Sequence, residues 1–285
     1  MKFDENCPSF KIRELDELSD SVNTLSASLN LTLKDLNSKT KRLEQDIQKE
    51  RVLEETRKLF IASASHELKT PISIIQGYAE GLKFGITDDS PDEYCDIIIE
   101  EAQKMNSLVM RMLEVTRYDS GGYKLKCSPF PIGETLKDFS SSRIKSMQEK
   151  GINFSIDIEP NLYGYGDKQL IEDVFANYLS NAISHVDFEK KITVTCKLNE
   201  NSYRVSVFNT GKKIADEDID NIWESFYRAD KARSRADGRF GLGLSIVASA
   251  QDMHGQKYGV INHDDGVEFW FDIARYIVLS HDEQT

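Results

Sequence analysis

Phe60-Ile61-Ala62-Ser63-Ala64-Ser65-His66-Glu67-Leu68-Lys69-Thr70-Pro71 brings an imidazole, an adjacent carboxylate and a proline within six residues. Upstream, Leu15, Leu18, Val22, Leu25 and Leu29 are spaced three, four, three, four. Leu33, Leu36, Thr40, Leu43 and Ile47 resume the alternation after an extra four-residue step. This is the pattern of a long helix with a stutter. The first glycine is Gly77 and the only early proline is Pro8, so nothing interrupts a helix from about Ile12 into the His66 region. Such a stripe needs a partner helix, and a parallel homodimer is the simplest source. Taken alone, a His-Glu pair on a helix is usually solvated surface, so the rest of the chain decides what His66 means.

Beyond His66, Pro71 removes a backbone donor and is expected to bend the helix about a turn past the imidazole. The helical period continues on Ile72, Ile75, Tyr78, Ala79 and Leu82. Gly85 to Ser90 read as a turn, with Ser90 as N-cap and Pro91 opening a second helix. Its apolar positions run from Tyr94 through Ile98, Met105, Leu108 and Met112 to Val115. Two helices per chain would make a four-helix bundle in the dimer.

Asp119-Ser120-Gly121-Gly122 ends the helical pattern, and Cys127-Ser128-Pro129-Phe130-Pro131 reads as a stiffer connector. A second domain follows. It is expected to hold helices at Ile132–Glu149, from about Lys168 to His185, and at Leu242–His254, and strands at 153–158, 191–198, 203–209, 257–262 and 266–273. Helices on one face of a mixed sheet give an α/β sandwich. The fold class is therefore multidomain, α plus α/β. The expected divisions are a coiled-coil signalling helix (1–50), a helical hairpin (51–120), a linker (121–129), an α/β domain (130–275) and a tail (276–285).

The length of 285 residues suits more than one domain, and 39% hydrophobic content permits real cores. A net charge of -12 argues against a nucleic-acid partner, because phosphate backbones are held by clustered Lys and Arg. No run approaches the length of a membrane span and Met1-Lys2-Phe3-Asp4-Glu5 lacks a signal-peptide core, so the chain as written reads as soluble and cytoplasmic. Cys7, Cys95, Cys127 and Cys196 are too scattered for a metal or redox pair.

The Phe60–Pro71 stretch resembles the phosphoacceptor box of sensor histidine kinases, in which a histidine receives the γ-phosphate of ATP and passes it to an aspartate on a partner. Four later stretches resemble that family's ATP boxes, in the family's order. Asp173-Val174-Phe175-Ala176-Asn177-Tyr178-Leu179-Ser180-Asn181-Ala182 resembles the N box. Asn177 and Asn181 lie four apart on one helix face, and a neutral carboxamide such as that of Asn177 can ligate Mg²⁺ without repelling phosphate. Val207-Phe208-Asn209-Thr210-Gly211-Lys212-Lys213-Ile214 resembles the G1 box that holds adenine. The family's aspartate there is Asn209 and its second glycine is Lys213. A neutral acceptor loses charge assistance on the order of 1 kcal/mol, so weaker ATP binding is expected, not its loss.

Trp223-Glu224-Ser225-Phe226-Tyr227-Arg228 resembles the F box, whose arginine in related kinases faces the transferring phosphate. Arg228 takes that place, with Phe226 beside it. Gly238-Arg239-Phe240-Gly241-Leu242-Gly243 resembles the G2 box, with Gly238, Gly241 and Gly243 letting backbone N–H groups and a helix start approach phosphates. Lys231, Arg233, Arg235 and Arg239 suit a lid over the nucleotide. The family often has a lysine after the N-box asparagines, where this chain has Ser184-His185. Residues 14–23 also resemble the second helix of a HAMP relay module, with Asp16 where that module has glycine. His254 reads as a structural imidazolium at a helix C-terminus.

The resemblance implies a kinase that uses ATP and Mg²⁺ to phosphorylate His66, with Glu67 orienting the imidazole and accepting its proton. It implies transfer to a response-regulator receiver domain, a homodimer, and a membrane link only through a segment upstream. Glu67-Leu68-Lys69-Thr70 resembles the family's phosphatase motif, in which Thr70 would position water. Two other readings stay open: a dimeric scaffold or phosphatase with weak or no kinase activity, motivated by Asn209, Lys213 and Ser184, and an ATPase of the same fold without a histidine acceptor.

Overall fold

The leucine stripe and the His66 stretch lie on one helix, α1 (Arg13–Phe84), in the computed structural model, which describes residues 13–86, 90–119, 122–187, 189–229 and 240–277. The helix runs through Pro71 without ending. The missing proline donor costs one rung of the ladder, and the turns on either side carry the helix past it. The chain divides into two compact units, Met1–Ser63 and Ala64–Thr285. In the first, Leu18, Leu25, Leu43 and Leu53 are 60–70% exposed. The stripe has the spacing of a packing seam, and these leucines have no seam partner among the described residues of their unit.

In the second unit α1 closes at Gly85, in a left-handed conformation (φ 68°), with Ile86 N–H donating to the Gly81 carbonyl at 3.0 Å. The following helix, α2 (Pro91–Asp119), begins at the expected proline. The Tyr94 ring meets Tyr78 edge-on at 5.0 Å, and its hydroxyl donates to the Ile86 carbonyl at 3.2 Å. One aromatic pair and one hydrogen bond thus fix the hairpin end.

The α/β part comprises β1 (Ser128–Pro131), α3 (Ile132–Glu149), β2 (Asn153–Ile158), β3 (Tyr163–Gly166), α4 (Lys168–His185), β4 (Lys191–Asn199), β5 (Ser202–Thr210), α5 (Gly243–His254), β6 (Tyr258–Asn262) and β7 (Gly266–Arg275). The strands form one sheet in the order β1-β3-β7-β5-β4-β2, with β6 also paired to β7. Only β2 and β4 are parallel. Alternation in Ile192-Thr193-Val194-Thr195-Cys196 buries Ile192, Val194 and Cys196. Opposite them in the core, Tyr178 of α4 packs against Phe269 and Phe271 of β7 at ring distances of 5.2 and 5.8 Å. The other sheet face is polar, with Arg204 stacked 3.5 Å from the Trp270 ring and paired to Asp272 at 2.8 Å.

Three details differ from the sequence expectation. The segment expected to be a connector carries β1, whose Ser128–Pro131 pairs antiparallel with Tyr163–Gly166. Two prolines fit there because β1 is an edge strand with one side free of ladder bonds. The strand β3 and a short 3-10 turn at Asn221–Trp223 were not anticipated.

Candidate active site

His66 lies on α1 near the start of the second unit, with its ring exposed. Glu67 follows, its side chain 27% exposed, and Thr70 is exposed one turn further on. A helix holds these three at fixed phase, so a donor approaching His66 meets Glu67 and Thr70 along the same stretch.

The asparagines sit on α4, whose start is firmly tied. Asp167 caps it by accepting from Leu170 N–H, and also accepts from the Tyr123 hydroxyl and Lys126 N–H, each at 2.9 Å. Burial alone would raise this carboxyl. The hydrogen bonds from Lys126, Tyr123, Leu170 and Gln169 outweigh it and hold the pKa below the ordinary value. Asp167 N–H donates to His254 Nε2 at 3.0 Å. The other ring nitrogen, Nδ1, lies 2.8 Å from the Ala250 carbonyl, so His254 ties the end of α5 to the start of α4.

Asn177 is 9% exposed, and its Nδ2 donates to the Asp173 carbonyl at 2.9 Å. Its Oδ1 accepts from Arg111 Nη1 of α2 at 3.1 Å. A Cβ on Gly243 would stand 2.8 Å from that oxygen, so only glycine lets the amide lie against the first turn of α5. Asn181 is half-buried one turn along α4. Asp173 is raised above the usual carboxylate value chiefly by burial, with Gln169 opposing and Glu172 adding. Glu114 of α2 is raised by burial and by the Asp173 charge, against Arg111.

Asn209 ends the buried run of β5, 3% exposed, and its Nδ2 donates to the Thr210 carbonyl at 3.1 Å. That bond orients the amide and leaves its oxygen as the acceptor face. Gly211 N–H then donates to the Asp265 carbonyl at 3.0 Å. Lys213, in place of the family's glycine, pairs with Asp264 at 3.0 Å on the exposed rim. Asn262 holds the following residue from both sides, accepting from Ile214 N–H at 3.0 Å and donating to its carbonyl at 2.8 Å.

Phe226 has a φ of 66°, rare for a bulky side chain, and its N–H donates to the Gly241 carbonyl at 2.9 Å. Gly241 itself is left-handed (φ 71°), and a Cβ there would fall 2.7 Å from the Tyr227 carbonyl. The two stretches read separately in the sequence are thus stitched backbone to backbone. Leu242 is the N-cap of α5 and is buried, 1% exposed. Arg228 Nη1 stands 3.6 Å from Glu67 Oε1, with the two side chains 13% and 27% exposed. Gly238, Arg239, Lys231, Arg233 and Arg235 lie outside the described residues.

Comparison with known proteins decides the family. Residues 56–121 match the His Kinase A (phospho-acceptor) domain, and residues 166–276 match the histidine kinase-, DNA gyrase B- and HSP90-like ATPase domain. Sensor protein VanSB of Enterococcus faecalis is 31% identical over 258 residues, covering 90% of this chain and 58% of that protein. Sensor protein SrrB of Staphylococcus aureus is 29% identical over 275 residues, covering 90% and 47%. The chain belongs to the two-component sensor histidine kinases.

The chain spans about half the length of the curated relatives it matches. Among solved structures, histidine kinase ThkA in complex with response regulator protein TrrA is similar at 26% identity and a TM-score of 0.64, covering 76% of this chain and 61% of that one. Histidine kinase AdeS of Acinetobacter baumannii shares the fold, at 18% identity and a TM-score of 0.62, covering 74% and 98%. The structure also adds residues around the site that the motifs did not flag: Arg111, Asn262, and the Tyr123–Asp167–His254 tie. Arg111 had a faint signal. With the buried Leu108, Val115 and Tyr118 it keeps a three, four, three spacing, as the one charge on an otherwise buried stripe.

Proposed function

We propose that the chain autophosphorylates His66 from ATP and passes the phosphoryl group to an aspartate on a response-regulator receiver domain. The observation that carries this reading is the approach of Arg228 to Glu67, which puts the cation of the ATPase domain beside the acceptor box of the same chain. ATP would sit against α4 and α5, with Asn209 and Gly211 toward the base, and with the start of α5 at Gly241, Leu242 and Gly243 and the amides of Asn177 and Asn181 toward the phosphates. Phe226 supports that wall through its bond to Gly241.

Among the described residues no cluster of three or more His, Cys, Asp or Glu could hold a metal by itself. A single neutral oxygen from Asn177 suits Mg²⁺, which takes most of its ligands from phosphates and water. When bound, the ion would neutralise phosphate charge. The Nε2 lone pair of His66 attacks the γ-phosphorus as the bond to the ADP oxygen breaks, and the Nδ1 proton passes to Glu67. Arg228 stabilises charge on the transferring group. The receiver aspartate then attacks the phosphohistidine, regenerating the imidazole. Thr70, one turn away, would position water against the receiver's acyl phosphate in the reverse, phosphatase role.

The exposed leucine stripe supports a homodimer whose α1 helices pair and whose hairpins form a four-helix bundle. A membrane-borne sensing portion would lie outside this chain, in whose described residues no helix is long and apolar enough to cross a membrane. Incubation with Mg²⁺ and γ-labelled ATP tests the reading. Acid-labile, base-stable phosphate on the protein is expected. ATP hydrolysis with no such label would instead favour an ATPase lacking a histidine acceptor, and nucleotide binding with neither would favour the scaffold.

A further inference from the structure

Arg111 belongs to the α2 face that carries the buried Leu108, Val115 and Tyr118 and packs against α5. Its Nη1 points at the one atom of α4 with an expected metal role, Asn177 Oδ1, at 3.1 Å. The amide cannot turn away cheaply. Its Nδ2 is committed to the Asp173 carbonyl, and Gly243 closes one side. An oxygen that accepts from a guanidinium is poorly placed to ligate a divalent cation, because two positive centres would then share one lone-pair region.

We propose that Arg111 is an intramolecular latch that competes with Mg²⁺ for Asn177 Oδ1, so that seating of α2 on the ATPase domain and binding of the magnesium–nucleotide oppose each other. The proposal rests on the preceding reading of Asn177 as the metal-facing amide and adds its regulation. The two arginine contacts, Arg228 with Glu67 and Arg111 with Asn177, then differ in kind. Arg228 meets the acceptor box without occupying the metal-facing amide, whereas Arg111 occupies it. A shift or rotation of α2 driven from the upstream helix would withdraw the guanidinium and free the amide, giving the helical stalk a direct hold on nucleotide affinity. Glu114 and Asp173 flank the contact, their mutual repulsion opposed by the Arg111 charge beside Glu114 and by the Tyr118 hydroxyl donating to Asp173.

The test is calorimetric titration of the full chain with a non-hydrolysable ATP analogue, in excess Mg²⁺ and in excess chelator. Wild type is compared with Arg111→Ala and with Arg111→Gln, which keeps a long helix-favouring side chain should the alanine variant not fold. Loss of one charge-assisted hydrogen bond corresponds to about tenfold tighter binding in Mg²⁺, with no gain in chelator. On the wild-type chain, hydrogen exchange over residues 108–118 should rise when Mg²⁺ and the analogue are added. Binding that both variants leave unchanged or weaken, or exchange that stays constant or falls, overturns the latch while leaving the kinase reading intact. Failure of every variant to bind the analogue overturns both.

Discussion

Arg228 Nη1 lies 3.6 Å from Glu67 Oε1, joining the segment that follows β5 to the helix that carries His66. A partly exposed pair at this distance adds little stability. Its importance is positional, since it brings a cation suited to a transferring phosphate next to the carboxylate that follows His66.

Arg228→Ala should therefore lower the rate of His66 phosphorylation by about 100-fold or more, with a much smaller change in nucleotide affinity. Single-turnover labelling at saturating ATP measures the first and calorimetry the second. A parallel collapse of binding would mean that Arg228 holds the nucleotide and does not act on the transfer.

Asn209→Asp should tighten ATP binding. The buried amide accepts without charge, and restoring a carboxylate adds assistance of about 1 kcal/mol, roughly a fivefold fall in Kd. Titration with ATP and with a nucleotide lacking the adenine amino group checks this, because the gain should appear only when that amino group is present.

The tie at Asp167 sets an acid limit on stability. Its folded pKa is lowered, so its contribution is complete above the ordinary carboxylate range and disappears as pH falls through the depressed folded value. Asp167→Asn should cost about 1–2 kcal/mol at neutral pH, as for loss of a buried cap. The cost should shrink toward zero in acid, where the wild-type carboxyl is protonated too. Thermal melts of both proteins across pH give the comparison.

Gly241→Ala should destabilise the chain by at least about 1 kcal/mol from left-handed strain, with a further penalty from the 2.7 Å approach to the Tyr227 carbonyl. Loss of nucleotide binding should exceed what the melting shift explains, because the same residue holds Phe226 through its carbonyl.

Much of this was legible in the residues. The 3.6-residue period located α1 and α2, the proline at position 91 marked the start of α2, and alternation of Ile192, Val194 and Cys196 exposed the buried face of β4. The strands β1 and β3 were hidden because Ser-Pro-Phe-Pro and Tyr-Gly-Tyr-Gly carry residues that ordinarily break strands; β1 tolerates its prolines at the sheet edge, and in the inner strand β3 a Cβ on Gly164 would stand 2.6 Å from the Ile273 side chain. The motifs named Asn177, Asn209 and Arg228 through local spacing. They could not name Arg111 or Asn262, whose partners are 66 and 48 positions away in the chain. The contact of His254 with Asp167 N–H is hidden for the same reason, its partner lying 87 positions distant.

The most direct measurement is labelling of the wild-type chain and of His66→Gln with γ-labelled ATP and Mg²⁺, followed by acid and base treatment. The account predicts acid-labile, base-stable label on the wild type and none on the variant, with nucleotide affinity the same in both. Label that persists on His66→Gln, or an unlabelled wild type that binds the nucleotide, would contradict it.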